Sequence, residues 1–228
     1  MRLRKQTLTL DIIPISEDTS PKIVKHSKLL PNSIRCAICG PSNCGKTNLM
    51  LSLLLHKNGL KFRNLYLYSK TPFQSKYCFL KKVLVEVPQI KYFLFGDGNE
   101  VIHPNDALSN SIIIFDDVAC ENQINIRNYF AMGRHNKIDS FYLSQTYSKI
   151  PKQLIRDNVN LLLVFKQDDV NLKHIYNEHV NSDMVWNEFK HICSNVWCKK
   201  HSFLTINKDC ELNNGRYRKN LDTFIYLT

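Results

Sequence analysis

The sequence predicts an α/β fold: a mainly parallel sheet flanked by helices, with a small C-terminal appendage. Three observations predict it. A glycine-containing loop, Gly40-Pro-Ser-Asn-Cys-Gly-Lys-Thr47, lies between a short apolar stretch and a helical one. A four-residue apolar run, 112–115, ends on the twin carboxylates Asp116 and Asp117. Strand-like and helix-like segments alternate from 34 to 178, the pattern that parallel strands with crossover helices leave in a sequence.

The loop matches G-x-x-x-x-G-K-[ST] in full. Residues 34–39 before it are mostly apolar and short enough for a strand. Residues 48–55 after it read as a helix, apolar nearly all round, with Asn58-Gly59 as the stop signal. Strand, tight loop and helix start gather backbone N–H groups around one concavity, with the positive helix end behind it. That is a site for phosphate. Gly40 and Gly45 permit backbone geometry that a Cβ would block. Gly40, Pro41, Ser42, Asn43, Cys44, Gly45, Lys46 and Thr47 are thus the nucleotide-binding residues. Lys46 is expected to reach the β- and γ-phosphates, and the Thr47 hydroxyl to bind Mg²⁺.

The next strands are expected at 64–68 and 90–95, with a helix at 73–82 between them. Residues 111–117 describe a buried strand ending at a polar edge. In an open parallel sheet all strands end on one rim, where ligands bind, so Asp116 and Asp117 are expected beside the phosphate loop. Asp116 is assigned to Mg²⁺, directly or through water. Asp117 is assigned as the general base that orients the attacking water. A helix at 123–132 is capped by Gly133. A strand at 140–145 follows, whose end brings Gln145 to the same rim, within reach of the γ-phosphate or the water. Residues 151–157 start like a helix, with Pro151 at its first position. Residues 161–165 read as a central strand and 168–178 as a helix. Beyond 180 the alternation breaks. One helix (184–193) and two strands (202–206, 223–227) make up the appendage.

The domain plan is therefore an arm at 1–32, which carries Pro14, Pro21 and Pro31, a nucleotide-binding core at 33–180, and an appendage at 181–228 packed on the core. The net charge of +11, from 31 Lys and Arg against 20 Asp and Glu, favours an acidic partner, nucleic acid first. The eight cysteines lack the spacing of a secreted disulfide scaffold, and one lies inside the phosphate loop, which points to a reducing compartment. Residues 6–11 are too polar for a signal peptide, and no apolar run is long enough for a membrane span, so the chain is not expected to be secreted or membrane-spanning.

Other spacings carry less. His191, Cys193, Cys198 and His201 are soft ligands in an order that matches no common zinc knuckle. Cys36 and Cys39 fall on opposite faces of one strand and read as core. Asn136-Lys-Ile-Asp139 is a literal N-K-x-D, but it precedes its strand where a guanine-reading tetrapeptide follows one.

The order of motifs, 40–47, then Ile112-Ile-Ile-Phe-Asp-Asp117, Gly133-Arg134, Tyr142-Leu-Ser-Gln145 and Ile155-Arg-Asp-Asn158, resembles the FtsK–HerA superfamily of DNA-pumping ATPases. It is most similar to the viral genome-packaging ATPases of poxvirus type and of Maverick/Polinton-like elements. The resemblance covers roughly residues 32 to 180. It implies a P-loop NTPase core of RecA/ASCE-like kind, with the 140–145 strand between the phosphate-loop strand and the Asp-Asp strand. It implies ATP as the nucleotide, a homo-oligomeric ring, translocation of double-stranded DNA into a capsid or portal, and residence in the virion or host cell interior. It also implies an arginine acting on the neighbouring subunit's γ-phosphate. Arg134 and Arg156 are the candidates, and Lys137 is a candidate channel residue. The superfamily often has Asp-Glu where this chain has Asp116-Asp117, which shortens the base by one methylene.

Two alternatives stand beside the motor. A nucleotide or nucleoside kinase with the same loop would need a basic lid, for which Arg216-Tyr-Arg-Lys219 is basic but otherwise unlike one. A nucleotide-bound assembly factor that does not hydrolyse would need neither the acids nor Gln145.

Overall fold

The computed structural model describes residues 25–96, 100–118, 122–153 and 155–227. Most of the proposed N-terminal arm lies outside these residues. The elements in chain order are β1 (Arg35–Cys39), α1 (Lys46–Leu55), β2 (Asn64–Ser69), α2 (Ser75–Val85), β3 (Lys91–Phe95), β4 (Ser111–Asp116), α3 (Ile124–Met132), β5 (Ile138–Ser144), β6 (Leu161–Val164), α4 (Asp169–His179), α5 (Trp186–Val196), β7 (Leu204–Asn207), β8 (Tyr217–Lys219) and β9 (Thr223–Phe224). All nine strands join one sheet in the order β3-β2-β4-β5-β1-β6-β7-β8-β9. The first six run parallel and the last three antiparallel. The strand carrying Gln145's approach, β5, lies between the phosphate-loop strand β1 and the acid-bearing strand β4, as the resemblance implies.

Both faces of the sheet are packed. Met50, Leu53 and Leu54 of α1 and Tyr77, Leu80 and Leu84 of α2 pack on one face, together with Cys36 and Ile38 of β1. Residues of α3, α4 and α5 pack on the other with Ala37 and Cys39. The alternation along β1 thus sends Cys36 and Cys39 to opposite cores, as their odd spacing requires. Burial of this kind makes a continuous apolar strand such as 112–115 stable only between two helical layers. Cys39 is completely buried, and this pushes its thiol up to about 12, so it is an inert packing group.

Some expectations are corrected. Of the helix anticipated at 151–157, the described residues form only a single 3-10 turn at Arg156–Asn158. Gly133 does cap α3 as expected, in a helical rather than a left-handed conformation. Its φ is −54°, a 3-10 turn continues through Asn136, and the reversal falls on Lys137 at φ 57°. Strand β8 has no apolar run to announce it: it carries the buried Arg218, whose Nη1 donates to the carbonyls of Leu29 (2.8 Å) and Leu221 (3.0 Å). The 223–227 strand shortens to Thr223–Phe224. Residues beyond 180 contribute α5 and then β7, β8 and β9, which continue the core sheet from the edge of β6.

The N-K-x-D signal has a structural explanation. Asp139 is buried at the start of β5, where Lys25 Nζ (2.5 Å), His26 Nε2 (2.9 Å) and the Ile34 N–H (2.8 Å) converge on its carboxylate. The Lys61 N–H donates to His26 Nδ1 (3.0 Å), so Nε2 carries the hydrogen toward Asp139. This aspartate ties the segment before β1 to the sheet, on the rim opposite the phosphate loop.

Candidate nucleotide site

The phosphate loop starts where β1 ends. Gly40 is glycine because a Cβ there would stand 2.6 Å from both Cys44 Sγ and Phe165 Cβ. Asn43 (φ 60°) and Gly45 (φ 115°) turn the backbone left-handed on either side of Cys44, which curls successive N–H groups around one hollow. Helix α1 begins at Lys46 with no side-chain cap from Gly45, so its positive end faces that hollow. Lys46 Nζ donates to the carbonyls of Gly40 (2.6 Å) and Pro41 (3.0 Å), laying its ammonium along the loop.

The end of β5 holds the two halves of the site together. The Gly40 N–H donates to Ser144 O (3.1 Å) on one flank, and the Asp117 N–H donates to Leu143 O (3.3 Å) on the other. In register, Cys39 lies beside Ser144 and Asp116 beside Leu143. The loop and the acids are therefore two strand widths apart, about 10 Å, on a shared rim. A cleft of about 290 Å³ opens there, lined among others by Ser42, Asn43, Gly45, Lys46, Thr47, Asp116, Asp117 and Gln145. Every expected group except the two arginines thus belongs to one neighbourhood.

Asp116 is buried, and Asp117, at φ 58°, is exposed. Burial raises the Asp116 carboxyl above its usual range, and the neighbouring Asp117 charge raises it further. The Tyr77 hydroxyl, the Lys46 ammonium and the Gln74 amide act in the opposite direction. Tyr77 Oη donates to Asp116 Oδ2 at 2.5 Å. The Thr47 hydroxyl and Asp116 are hard oxygen donors on one cleft, the donor chemistry Mg²⁺ takes.

Thr71, Gln74 and Lys76 also line the cleft, and Tyr77 braces it. Sequence reading missed this group, although Thr71 follows β2 on the rim where every parallel strand ends. His201 lines it too, from the turn before β7, with its Nδ1 2.9 Å from the Cys44 carbonyl. Only the antiparallel return of β7 brings it there, and no local spacing signals that.

The arginines fall elsewhere. Arg134 is exposed on the rim opposite the loop, close enough to Arg35 to help lower that guanidinium's pKa, where burial is the larger cause. Arg156 differs from Arg134. It is buried, its Nη1 pairs with Glu178 Oε1 at 2.7 Å, and its guanidinium lies 5.1 Å from the Tyr147 ring centroid. Glu178 also accepts from the Tyr147 hydroxyl (2.7 Å), which lies 2.6 Å from Nε2 of buried His179. Burial first, then nearby cations, hold that histidine down to about 3. In this subunit Arg156 is thus held in an ion pair with Glu178. Arg156→Ala should cost about 3 kcal/mol of stability by stranding Glu178, read as a lowered urea midpoint. An unchanged midpoint would show that the pair is not holding α4 to the loop after β5.

The soft-ligand group does not converge. Cys193 is buried in α5, His191 and Cys198 are exposed, and His201 is turned to the phosphate loop. Among the described residues, no three His, Cys, Asp or Glu side chains gather as a metal would require. Nor, among them, is any helix long and apolar enough to cross a membrane.

This fold and this rim define a P-loop NTPase. The chain belongs to the family described as Poxvirus A32 protein, which matches residues 22–222. The expected place among viral genome-packaging ATPases is thereby met. Among curated proteins none matches the chain. Among solved structures it is similar to the genome packaging NTPase B204 of Sulfolobus turreted icosahedral virus 2 in complex with ATP-gammaS. That match has 12% identity and a TM-score of 0.55, and covers 86% of this chain and 100% of that one. It is also similar to B204, the DNA-packaging ATPase of Sulfolobus turreted icosahedral virus, at 15% identity and TM-score 0.53, over 76% of this chain and 92% of that one.

Proposed function

We propose that this ATPase uses Mg²⁺ and ATP to pump double-stranded viral DNA into a capsid, as a homo-oligomeric ring. One observation carries the reading: the N–H bonds from Gly40 to Ser144 and from Asp117 to Leu143, which put a phosphate cradle and a pair of acids on the two flanks of one strand end. Lys46, the α1 N-terminus and the loop N–H groups hold the phosphates. Thr47 and Asp116 would hold Mg²⁺, which when bound would offset charge on the phosphates. Asp117 orients the attacking water and accepts its proton, and Gln145 hydrogen-bonds the γ-phosphate or that water.

Arg134 supplies the cation for the adjoining subunit. The sheet's direction puts it on the rim away from its own phosphates, so any nucleotide it touches belongs to a neighbour. Lys137, on the same opposite rim, is a candidate for gripping DNA through its backbone without reading sequence, and the +11 charge favours that contact. The motor works in the virion or host cell interior, docked on a capsid or portal component.

The kinase alternative loses its lid: Arg216 pairs with Asp183 at 2.5 Å and Arg218 is buried within β8. The test is ATP turnover with and without duplex DNA, alongside the mass of the assembled particle. Turnover that rises with DNA, from a multi-subunit particle, is expected. Turnover indifferent to DNA, or a particle that stays monomeric with DNA and ATP, would defeat the motor reading.

A further inference from the structure

His201 is a histidine in a left-handed backbone conformation, φ 64°, where a side chain other than Gly, Asn or Asp is uncommon. Its ring touches the phosphate loop. Nδ1 lies 2.9 Å from the Cys44 carbonyl, and a Cβ built on Gly45 would meet that nitrogen at 3.5 Å. Beneath the loop, Phe165 and Phe203 pack with ring centroids 5.3 Å apart and fix the approach of the turn that carries His201. The ring lines the cleft, yet the hydrolytic chemistry makes no use of it.

Two arguments say what it meets. The first is direction. Asp116, Asp117 and Gln145 enter the cleft from β4 and β5, on one side of the loop, and draw the terminal phosphate there. His201 enters from the β6–β7 side, where the other end of the nucleotide must leave. The second is chemistry. A backbone carbonyl only accepts, so Nδ1 carries the hydrogen and Nε2 of the neutral ring is an acceptor. Phosphate oxygens offer no hydrogen to such an atom. Ribose hydroxyls and the exocyclic amine of adenine do.

The geometry points to His201 as the residue that holds the nucleoside half of the nucleotide, its Nε2 accepting a hydrogen bond from ribose or base. The assignment rests on the cleft being an ATP site, as proposed above. It makes the turn between α5 and β7 part of the binding site.

Calorimetry on the full chain with Mg²⁺ tests it, using ATP, 2′-deoxy-ATP, inosine triphosphate and inorganic triphosphate. His201→Asn is the informative variant, because asparagine tolerates the left-handed backbone but is too short to reach across. ATP affinity should fall about tenfold while inorganic triphosphate affinity stays within about twofold. In the wild type, a loss with 2′-deoxy-ATP identifies the ribose as donor, and a loss with inosine triphosphate identifies the base amine. Diethyl pyrocarbonate, which acylates exposed imidazole, gives a reading without mutation: ATP should protect Nε2 and inorganic triphosphate should leave it reactive. Equal weakening of ATP and triphosphate, or no weakening, overturns the assignment while leaving the ATP site intact. Wild-type protein that binds neither ligand overturns the ATP site as well.

Discussion

Lys46→Ala should reduce ATP turnover by about 10³-fold or more, with or without DNA. The lysine is the one cation that the loop itself places at the phosphates, and its present partners, the Gly40 and Pro41 carbonyls, show that Nζ reaches along the whole cradle. Its removal withdraws positive charge where negative charge is shared between the β- and γ-phosphates during transfer. The fold should survive, because Lys46 is only half-buried and bonds to carbonyls of its own loop. Steady-state phosphate release, with circular dichroism as a folding control, makes the measurement. Turnover near the wild-type rate would remove the site from 40–47 altogether.

Arg134→Ala should keep ATP binding and lose about 10³-fold in turnover, the effect of a cation that acts on the transition state from another subunit. The distinctive result comes from mixing. Lys46→Ala subunits retain Arg134, and Arg134→Ala subunits retain the cradle. Where the two alternate in a ring, some interfaces hold one intact half from each, so a mixture should hydrolyse ATP faster than either variant alone. If Arg134→Ala turns over at the wild-type rate, or if mixing restores nothing, the arginine belongs to the rim beside Arg35 and has no part across the interface.

The sequence carried much of this because its strongest signals are local. A phosphate loop is defined by backbone geometry over eight residues, so Gly40, Gly45 and Lys46 announce it directly. The acids were legible through one further rule, that parallel strands share a carboxyl rim, and β4 obeys it. The braces were not legible. Tyr77 reaches Asp116 from a helix 39 positions away, and His201 reaches Cys44 across 157. Such contacts depend on how elements pack and leave no trace in spacing. Arg156 shows the converse: the resemblance offered it as a charge for a neighbouring subunit, and only tertiary packing reveals its pairing with Glu178 and its contact with Tyr147. Strand β8 was hidden for a third reason, since a buried arginine bonded to carbonyls looks like surface in a sequence.

The bonds that fasten β5 to the loop on one flank and to Asp117 on the other have a mechanical corollary. Neither half of the catalytic rim can slide past the other without tearing the sheet between them. Opening the rim at that point would break backbone hydrogen bonds. In the ring proposed above, the stroke would therefore be sought where one protomer meets the next.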